Sequence, residues 1–186
     1  MKIVATPFPQ AALIALEPKG DERGFFLRSF DREFFSAHEM PVDIDQTAES
    51  INPLAYTLRG LHFQKPPYTE QKLIRCLKGK IFDVAVDLRR GSPTEGRAYH
   101  ITLSEEDDHA LFLPKGIAHG FLTLQKDSVV FYQLFDPYHA EAAFGIRYDD
   151  DALDIPWPNK PRLINERDRA WPLLKDLKPE ERPSFR

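Results

Sequence analysis

The feature that most constrains the fold of this chain is a series of short apolar segments, each closed by turn-forming residues. Pro66-Pro67, Lys78-Gly79 and Pro114-Lys115-Gly116 are among the separators. The segments predict seven strands, at residues 57–64, 71–77, 80–88, 97–104, 110–113, 121–124 and 129–135. Short strands with regular turn punctuation are typical of an antiparallel sandwich or barrel, not of βαβ units. The 16 prolines favour the same class, because proline disfavours long helices.

The flanking sequence predicts a few further elements. Residues 11–16 are an apolar strand candidate, and residues 31–38 predict a short helix with Asp31 placed to cap it. A second short helix is predicted around residues 173–177. No repeat or linker interrupts the chain, so residues 1–186 are predicted to form a single, mainly β domain. Its core is expected at about 45–148, with both terminal segments packing on it.

The Lys78-Gly79 dipeptide gives a prediction about register. Taken as a two-residue turn, it pairs strand 71–77 with strand 80–88 in a hairpin and sets Ile74 opposite Asp83. One face would then carry Lys72, Ile74, Cys76, Ile81, Asp83 and Ala85. Charged side chains on a covered face are generally paired or functional, which makes Lys72 and Asp83 candidates.

Composition excludes several classes of protein. With 25 basic and 29 acidic residues, the net charge of −4 argues against a nucleic-acid partner. No apolar run reaches the roughly 20 residues of a membrane span, and the early prolines Pro7 and Pro9 are unlike a signal peptide. One cysteine, Cys76, forms neither an internal disulfide nor a cysteine-based zinc site. The sequence therefore predicts a cytoplasmic protein with no membrane partner.

Three polar residues lie among apolar neighbours in the predicted strands: His62, His119 and Tyr132. Taken singly, each is more simply read as a hydrogen-bonded core residue, and tyrosine is common in strands. Together with Lys72 and Arg59 they form a candidate set of cationic and acid–base groups.

Metal and nucleophile chemistry have weaker support. Residues 114–119 resemble the second half of a cupin motif, but the first half reads His62-Phe63-Gln64 and lacks the second histidine of metal-binding cupins. Two histidines without an evident carboxylate make a poor ligand set, so no metal is predicted. Cys76 has the apolar neighbours of an inert thiol, and no Gly-x-Ser-x-Gly elbow or glycine-rich phosphate loop is present. We therefore predict no cofactor.

Several motifs, taken in order, resemble the dTDP-4-dehydrorhamnose 3,5-epimerase family. They cover nearly the whole chain, and the Leu-Arg-Gly-Leu-His-Phe-Gln stretch is a specific signature. The matching segments are residues 21–26, 58–64, 71–76, 83–89 with 92–94, 114–121, 149–150 and 155–158. The resemblance implies a cupin-type jelly roll, a homodimer without metal, and a nucleotide-diphospho-4-keto-6-deoxyhexose as substrate.

The resemblance also implies roles for particular residues. A C4 ketone acidifies the C–H bonds at C3 and C5, and His62 would be the base that removes the proton. Lys72 would stabilise the enolate oxygen at C4, and Tyr132 would return a proton from the opposite face. Asp168 matches the carboxylate that orients the base, with Asp83 as the competing candidate for that role.

The remaining implied residues contact the substrate. Arg23 and Arg59 each precede a glycine, where a phosphate could approach closely, and the arginine fork suits phosphate oxygens. The full implied set of binding residues is Arg23, Arg59 and His119 for pyrophosphate and sugar, and Gln46, Tyr138 and Arg167 for the rest of the pocket.

Three positions depart from the family pattern. Arg28 and Ala143 stand where the family typically has glutamate, and Ala48 stands where asparagine is usual. In the family these positions contact the base and ribose of the nucleotide. The residues implied in the reaction, in contrast, match the family pattern. We therefore predict that the epimerase chemistry persists while the nucleotide is not necessarily dTDP, with CDP and GDP as candidates.

One geometric conflict and several alternatives stay open. Strict alternation places Arg59 and His62 on opposite strand faces, so both reach one pocket only if the strand is irregular, with Gly60 as the natural bulge site. The alternatives to an epimerase acting at C3, C5 or both are a 3,4-ketoisomerase of the same fold, a non-catalytic sugar-nucleotide-binding cupin and, least favoured, a metal-dependent dioxygenase.

Overall fold

The computed structural model describes residues 1–185, and most of the regular secondary structure in this region is antiparallel β-strand. The strands in this region are β1 Lys2–Ala5, β2 Ala12–Ala15, β3 Lys19–Asp21, β4 Gly24–Phe26, β5 Gln46–Asn52, β6 Leu58–Gln64, β7 Lys72–Lys78, β8 Lys80–Asp87, β9 Ala98–Ser104, β10 His109–Leu113, β11 Ile117–Thr123, β12 Ser128–Leu134 and β13 Ala143–Gly145. The helices are α1 Arg32–Ala37 and α2 Glu166–Ala170, with 3₁₀ turns at Asp151–Leu153, Leu174–Asp176 and Pro179–Glu181. Within residues 1–185, no helix is long and apolar enough to cross a membrane.

Two sheets pack face to face. A six-stranded sheet has the order β1-β2-β10-β7-β12-β5, and a five-stranded sheet has the order β13-β6-β11-β8-β9. Each strand pairing in these sheets is antiparallel. Apart from the pairs β1–β2 and β8–β9, neighbouring strands in each sheet are not consecutive in sequence, as in a jelly roll. The predicted jelly-roll sandwich is therefore confirmed.

The main core fills the space between the sheets. Its buried apolar residues come from both sheets in an alternating pattern, as inward-facing side chains of a sandwich must. From the six-stranded sheet they include Ile74, Cys76, Leu111, Leu113 and Val130, and from the five-stranded sheet Ile81, Ala85, Leu103, Ile117 and Phe121.

Both outer faces are covered as well. Asp31 accepts a hydrogen bond from the Phe34 amide and begins α1, as the sequence predicts. The fully buried Phe35 of α1 packs on the six-stranded sheet, which contributes about 1.5–3 kcal/mol of burial free energy. The other sheet is covered by the C-terminal segment through Leu153, Ile164 and Leu177. Double coverage explains why β8 is apolar on both faces.

The predicted β7–β8 hairpin is wrong. β7 pairs with β10 and β12, whereas β8 pairs with β9 and β11, so Lys78-Gly79 carries the chain from one sheet to the other. Gly79 has a positive φ of 73°, and a Cβ there would lie 2.5 Å from Ser128 Oγ, so the link is as tight as a turn. Ile74 therefore faces Ile81 and Ala85 across the interior instead of beside them on one sheet face.

Other boundaries differ from the sequence prediction. β11 begins at Ile117, four residues before the predicted start, because the turn at Pro114-Lys115-Gly116 leads directly into it. The helix predicted at 173–177 is a single 3₁₀ turn at Leu174–Asp176. β5 and α2 carry no strong local pattern: β5 is a largely exposed edge strand, and α2 is five residues long.

Candidate active site

One cavity of about 400 Å³ lies between the two sheets and collects most of the predicted site residues. Seven of the ten line it: Arg59 and His62 on β6, Lys72 on β7, His119 on β11, Tyr132 on β12, Tyr138 after β12, and Arg167 on α2. Residues separated by more than 100 positions thus converge. A larger cavity of about 890 Å³ contains none of the ten.

β6 is irregular at Gly60, which resolves the conflict between the positions of Arg59 and His62. Its register with β11 shifts by one residue between the His62–His119 pair and the Arg59–Phe121 pair. Gly60 has φ of +114°, and a Cβ there would lie 2.7 Å from both Gly120 Cα and the His119 carbonyl oxygen. Glycine is required by this close approach. The extra residue brings Arg59 and His62 into the same cavity.

His62 is held by a buried carboxylate. Its Nε2 lies 2.6 Å from Asp168 Oδ1, and the Asp168 side chain is 1% exposed whereas that of His62 is 43% exposed. The Gly60 amide donates to the other oxygen, Oδ2, at 3.0 Å. Burial works to raise the pKa of Asp168, but the hydrogen bonds from His62 and Gly60 outweigh it and hold the pKa below its usual range. An anionic Asp168 fixes the proton on Nε2 and leaves Nδ1 of neutral His62 as an acceptor.

Asp83 contacts the other histidine. Its Oδ2 lies 2.8 Å from His119 Nε2, and both side chains are almost fully buried. Within residues 1–185, the remaining Asp83 oxygen, Oδ1, has no hydrogen-bond partner. Of the two carboxylates considered for His62, Asp168 is therefore the one in contact with it.

Tyr132 enters the cavity from the sheet opposite His62. Its ring meets the His119 ring edge-on, with centroids 5.9 Å apart. Burial and the nearby Asp83 charge raise the pKa of Tyr132, against a smaller opposing effect of Arg59. The phenol is therefore protonated throughout the physiological range.

Glu70 is a cavity residue that the sequence analysis missed. Its Oε1 lies 2.6 Å from Lys72 Nζ, and both side chains are 10% exposed. Residues two apart share a face in extended chain, so the Glu70-Gln71-Lys72 spacing was an available signal. The pair keeps the Lys72 ammonium charge compensated inside the cavity.

The cavity rim is cationic and aromatic. Arg59 donates through Nε to Asn52 Oδ1 at 2.8 Å, and Arg167 donates to the Ala143 carbonyl at 2.8 Å. Phe144 and Trp171, which the sequence analysis also missed, complete this wall. Among residues 1–185, no group of three His, Cys, Asp or Glu side chains is placed to hold a metal ion.

Two predicted binding residues lie outside the cavity. Arg23 is in the β3–β4 hairpin with an 85% exposed side chain and pairs with Asp21 at 2.5 Å. Gln46 begins β5 and donates to Asp45. Their roles stay predictions.

The three departures from the family pattern fall at different places. Ala48 and Ala143 both line the cavity, whereas Arg28 pairs with Asp31 beside α1. The two alanines present small apolar surfaces where the family pattern would supply an amide and a carboxylate. Two of the three departures therefore remove hydrogen-bonding side chains from the cavity wall.

Comparison with known proteins gives a consistent result. A family model described as dTDP-4-dehydrorhamnose 3,5-epimerase matches residues 5–176. An enzyme of that name from Sinorhizobium fredii is 41% identical over 169 residues, 90% of this chain and 87% of that protein. A Legionella pneumophila dTDP-6-deoxy-D-glucose-3,5-epimerase in complex with dTDP-4-keto-L-rhamnose superposes with a TM-score of 0.93 at 36% identity, covering 100% of this chain and 98% of that one. A double mutant of a Streptomyces bikiniensis 3′-monoepimerase with dTDP has a TM-score of 0.89 at 25% identity, covering 97% and 92%.

Proposed function

This chain belongs to the dTDP-4-dehydrorhamnose 3,5-epimerase family and is a sugar-nucleotide epimerase, and we propose that it inverts C3, C5 or both of a nucleotide-diphospho-4-keto-6-deoxyhexose in the cavity around His62. One observation carries the assignment of the site. His62 projects from the five-stranded sheet and Tyr132 from the six-stranded sheet into one cavity. A sugar ring bound between them meets a base on one face and an acid on the other.

In this proposal, His62 removes the proton from the carbon next to the ketone. Nδ1 accepts it, and the anionic Asp168 on Nε2 stabilises the imidazolium that forms. Holding the ring in a fixed orientation matters because proton abstraction from carbon requires the base within contact distance and aligned with the C–H bond. The burial of Asp168 supplies that rigidity.

Lys72 compensates the charge that develops on the C4 oxygen. Its ammonium group is nearly buried in the cavity, where an interaction with an enolate oxygen is stronger than in water. Before the enolate forms, the Glu70 carboxylate balances the positive charge of the Lys72 ammonium group. Tyr132 then donates its proton to the opposite face of the carbon, and its raised pKa means that the proton is present at neutral pH.

The test of this function is an NMR assay in deuterated buffer with a panel of 4-keto-6-deoxy sugars on different nucleotides. Epimerisation places solvent deuterium at C3, C5 or both while the ketone stays at C4. A ketone that moves to C3 would show a 3,4-ketoisomerase instead. Tight binding of a sugar nucleotide with neither exchange nor isomerisation would show a non-catalytic binding protein.

We further propose that the nucleotide is not restricted to dTDP. Ala48 and Ala143 line the cavity without supplying hydrogen-bonding side chains, and a missing side-chain hydrogen bond costs about 0.5–1.5 kcal/mol of selectivity. We expect isothermal calorimetry to give affinities for dTDP, CDP and GDP within roughly tenfold of one another. A clear preference for dTDP would contradict this expectation.

The site is proposed to function in a homodimer. The β3–β4 hairpin pairs with neither large sheet and exposes Phe25 and Phe26, which are 70% and 68% accessible. Adjacent exposed aromatic rings are typical of an interface, so a second copy covering them is the proposed dimer contact. Sedimentation equilibrium is expected to give twice the chain mass of 21.5 kDa, and the double variant Phe25→Ser/Phe26→Ser to give a monomer. A fully active wild-type monomer would refute the proposal.

A further inference from the structure

Trp171 shares a carboxylate oxygen with His62. Its indole Nε1 donates to Asp168 Oδ1 at 3.2 Å, and this is the same oxygen that lies 2.6 Å from His62 Nε2. The chain has two tryptophans, and this one lines the cavity. Trp171, which the sequence analysis did not single out, is thus linked to the proposed base through one shared acceptor atom.

The indole is fixed in place from several sides. The Arg167 guanidinium lies over the Trp171 ring at 4.8 Å, and the Phe144 ring centroid lies 5.0 Å from it. Gly145 provides the space for the N–H, because a Cβ at that position would lie 2.5 Å from Nε1. Such a supported side chain loses little conformational entropy when it makes its hydrogen bond.

We propose that Trp171 is a positioning residue of this epimerase: by donating to the oxygen that holds His62, its indole N–H fixes the direction of Asp168 and limits how strongly that carboxylate retains the imidazolium. This inference rests on the proposed role of His62 as the base. A carboxylate oxygen that accepts two hydrogen bonds carries less charge toward either donor. The imidazolium that forms on His62 is therefore held less tightly than it would be if His62 were the sole donor to that oxygen.

The acidity of Asp168 agrees with this arrangement. Burial acts to raise its pKa, and the hydrogen bonds from His62, Gly60 and Trp171 act together to lower it below its usual range. The charged and titratable groups around this network are His62 and Arg59 from β6, Glu70 just before β7, Lys72 from β7, His119 from β11, Tyr132 from β12, Tyr138 after β12, Asp168 and Arg167 from α2, and Lys65 over the Phe144 ring.

The kinetic test compares two tryptophan variants. Trp171→Phe keeps an aromatic ring on the wall but removes the N–H, so we expect the acidic limb of kcat/KM to move to higher pH by roughly half a unit. The matched control is Trp157→Phe, because Trp157 Nε1 also makes one hydrogen bond, to the Tyr148 carbonyl at 2.8 Å, and lies outside the cavity. Its pH profile should follow the wild type. A Trp171→Phe profile that differs from the wild type only by a uniform scale factor would overturn the proposal.

A spectroscopic test needs no substrate. In Trp157→Phe the single remaining indole is Trp171, and a protonated imidazole quenches indole fluorescence at close range. We expect its emission to be lower when His62 is charged than when it is neutral, and this pH-dependent change to be absent in the double variant Trp157→Phe/His62→Gln. Emission that is flat in the single variant, or that titrates equally in both, would contradict the shared-oxygen network.

The two tests separate this inference from the proposed function. If no sugar nucleotide is turned over but the emission titrates through His62, the proposed function fails and the network stands. If the wild type epimerises its substrate but Trp171→Phe leaves the pH profile unshifted, the function stands and the inference fails.

Discussion

His62→Gln is expected to lower the rate of deuterium incorporation at C3 and C5 of a 4-keto sugar nucleotide by about 10²- to 10⁴-fold, the contribution of a positioned general base. Glutamine keeps much of the volume and a hydrogen bond to Asp168, so the cavity is retained while the proton acceptor is lost. The measurement is ¹H NMR in deuterated buffer, with calorimetry to confirm that the nucleotide still binds.

The matched control is His100→Gln. His100 lies on β9, stacks on Phe82 on the outer face of the five-stranded sheet, and is not a cavity residue. We expect exchange in this variant at the wild-type rate. If His62→Gln exchanged as fast as the wild type, another group would have to be the base, and the assignment of His62 would be wrong.

The contribution of Asp168 to folding stability depends on pH in a definite direction. Its pKa is lower in the folded protein than in the unfolded chain, so the stability that it adds is present above the ordinary carboxyl range and is lost as the pH falls through the folded-state value. Near neutrality the carboxylate is charged. A change in activity near neutral pH is therefore not expected to come from protonation of Asp168.

The strand segments were predictable because each one carries its own signal. Alternating apolar residues and turn residues are local features, and they placed β6, β7, β8, β9, β10 and β12 within one residue at each end. The partners of a strand are not a local feature. The tight Lys78-Gly79 link leaves the same side chains facing inward whether it folds β8 back beside β7 or across to the other sheet, so the pattern alone did not distinguish the two.

The candidate site was likewise predictable only in part: its principal residues could be named, but their contacts could not. The family resemblance places Arg59 and His62 in one pocket, and strand alternation allows this only if β6 is irregular, with Gly60 as the natural site; the structure has the irregularity there. Which aspartate contacts His62 depends on where α2 docks, and a five-residue helix has no sequence pattern that specifies its docking. Glu70 and Trp171 were missed for a related reason, since their importance lies in the atoms that they contact.

Tyr132→Phe is expected to separate exchange from inversion. The variant keeps the proposed base His62 and its carboxylate Asp168, so we expect the proton next to the ketone still to be removed, whereas the phenol proposed to return one from the opposite sheet is lost. Deuterium should therefore enter the substrate with its configuration retained, while the epimer forms at least about 10²-fold more slowly. NMR resolves both quantities in one sample, because isotopic labelling and the coupling constants of the epimer are read separately.

The matched control for this prediction is Tyr99→Phe. Burial and the Asp83 charge also raise the pKa of Tyr99, but this side chain lies on β9 and does not line the cavity. We expect inversion in Tyr99→Phe at the wild-type rate, because the removed hydroxyl is outside the cavity in which the substrate is proposed to bind. Normal epimer formation by Tyr132→Phe would exclude the phenol as the donor. A parallel loss of exchange and inversion would place Tyr132 with the base or the binding groups and not on the opposite face.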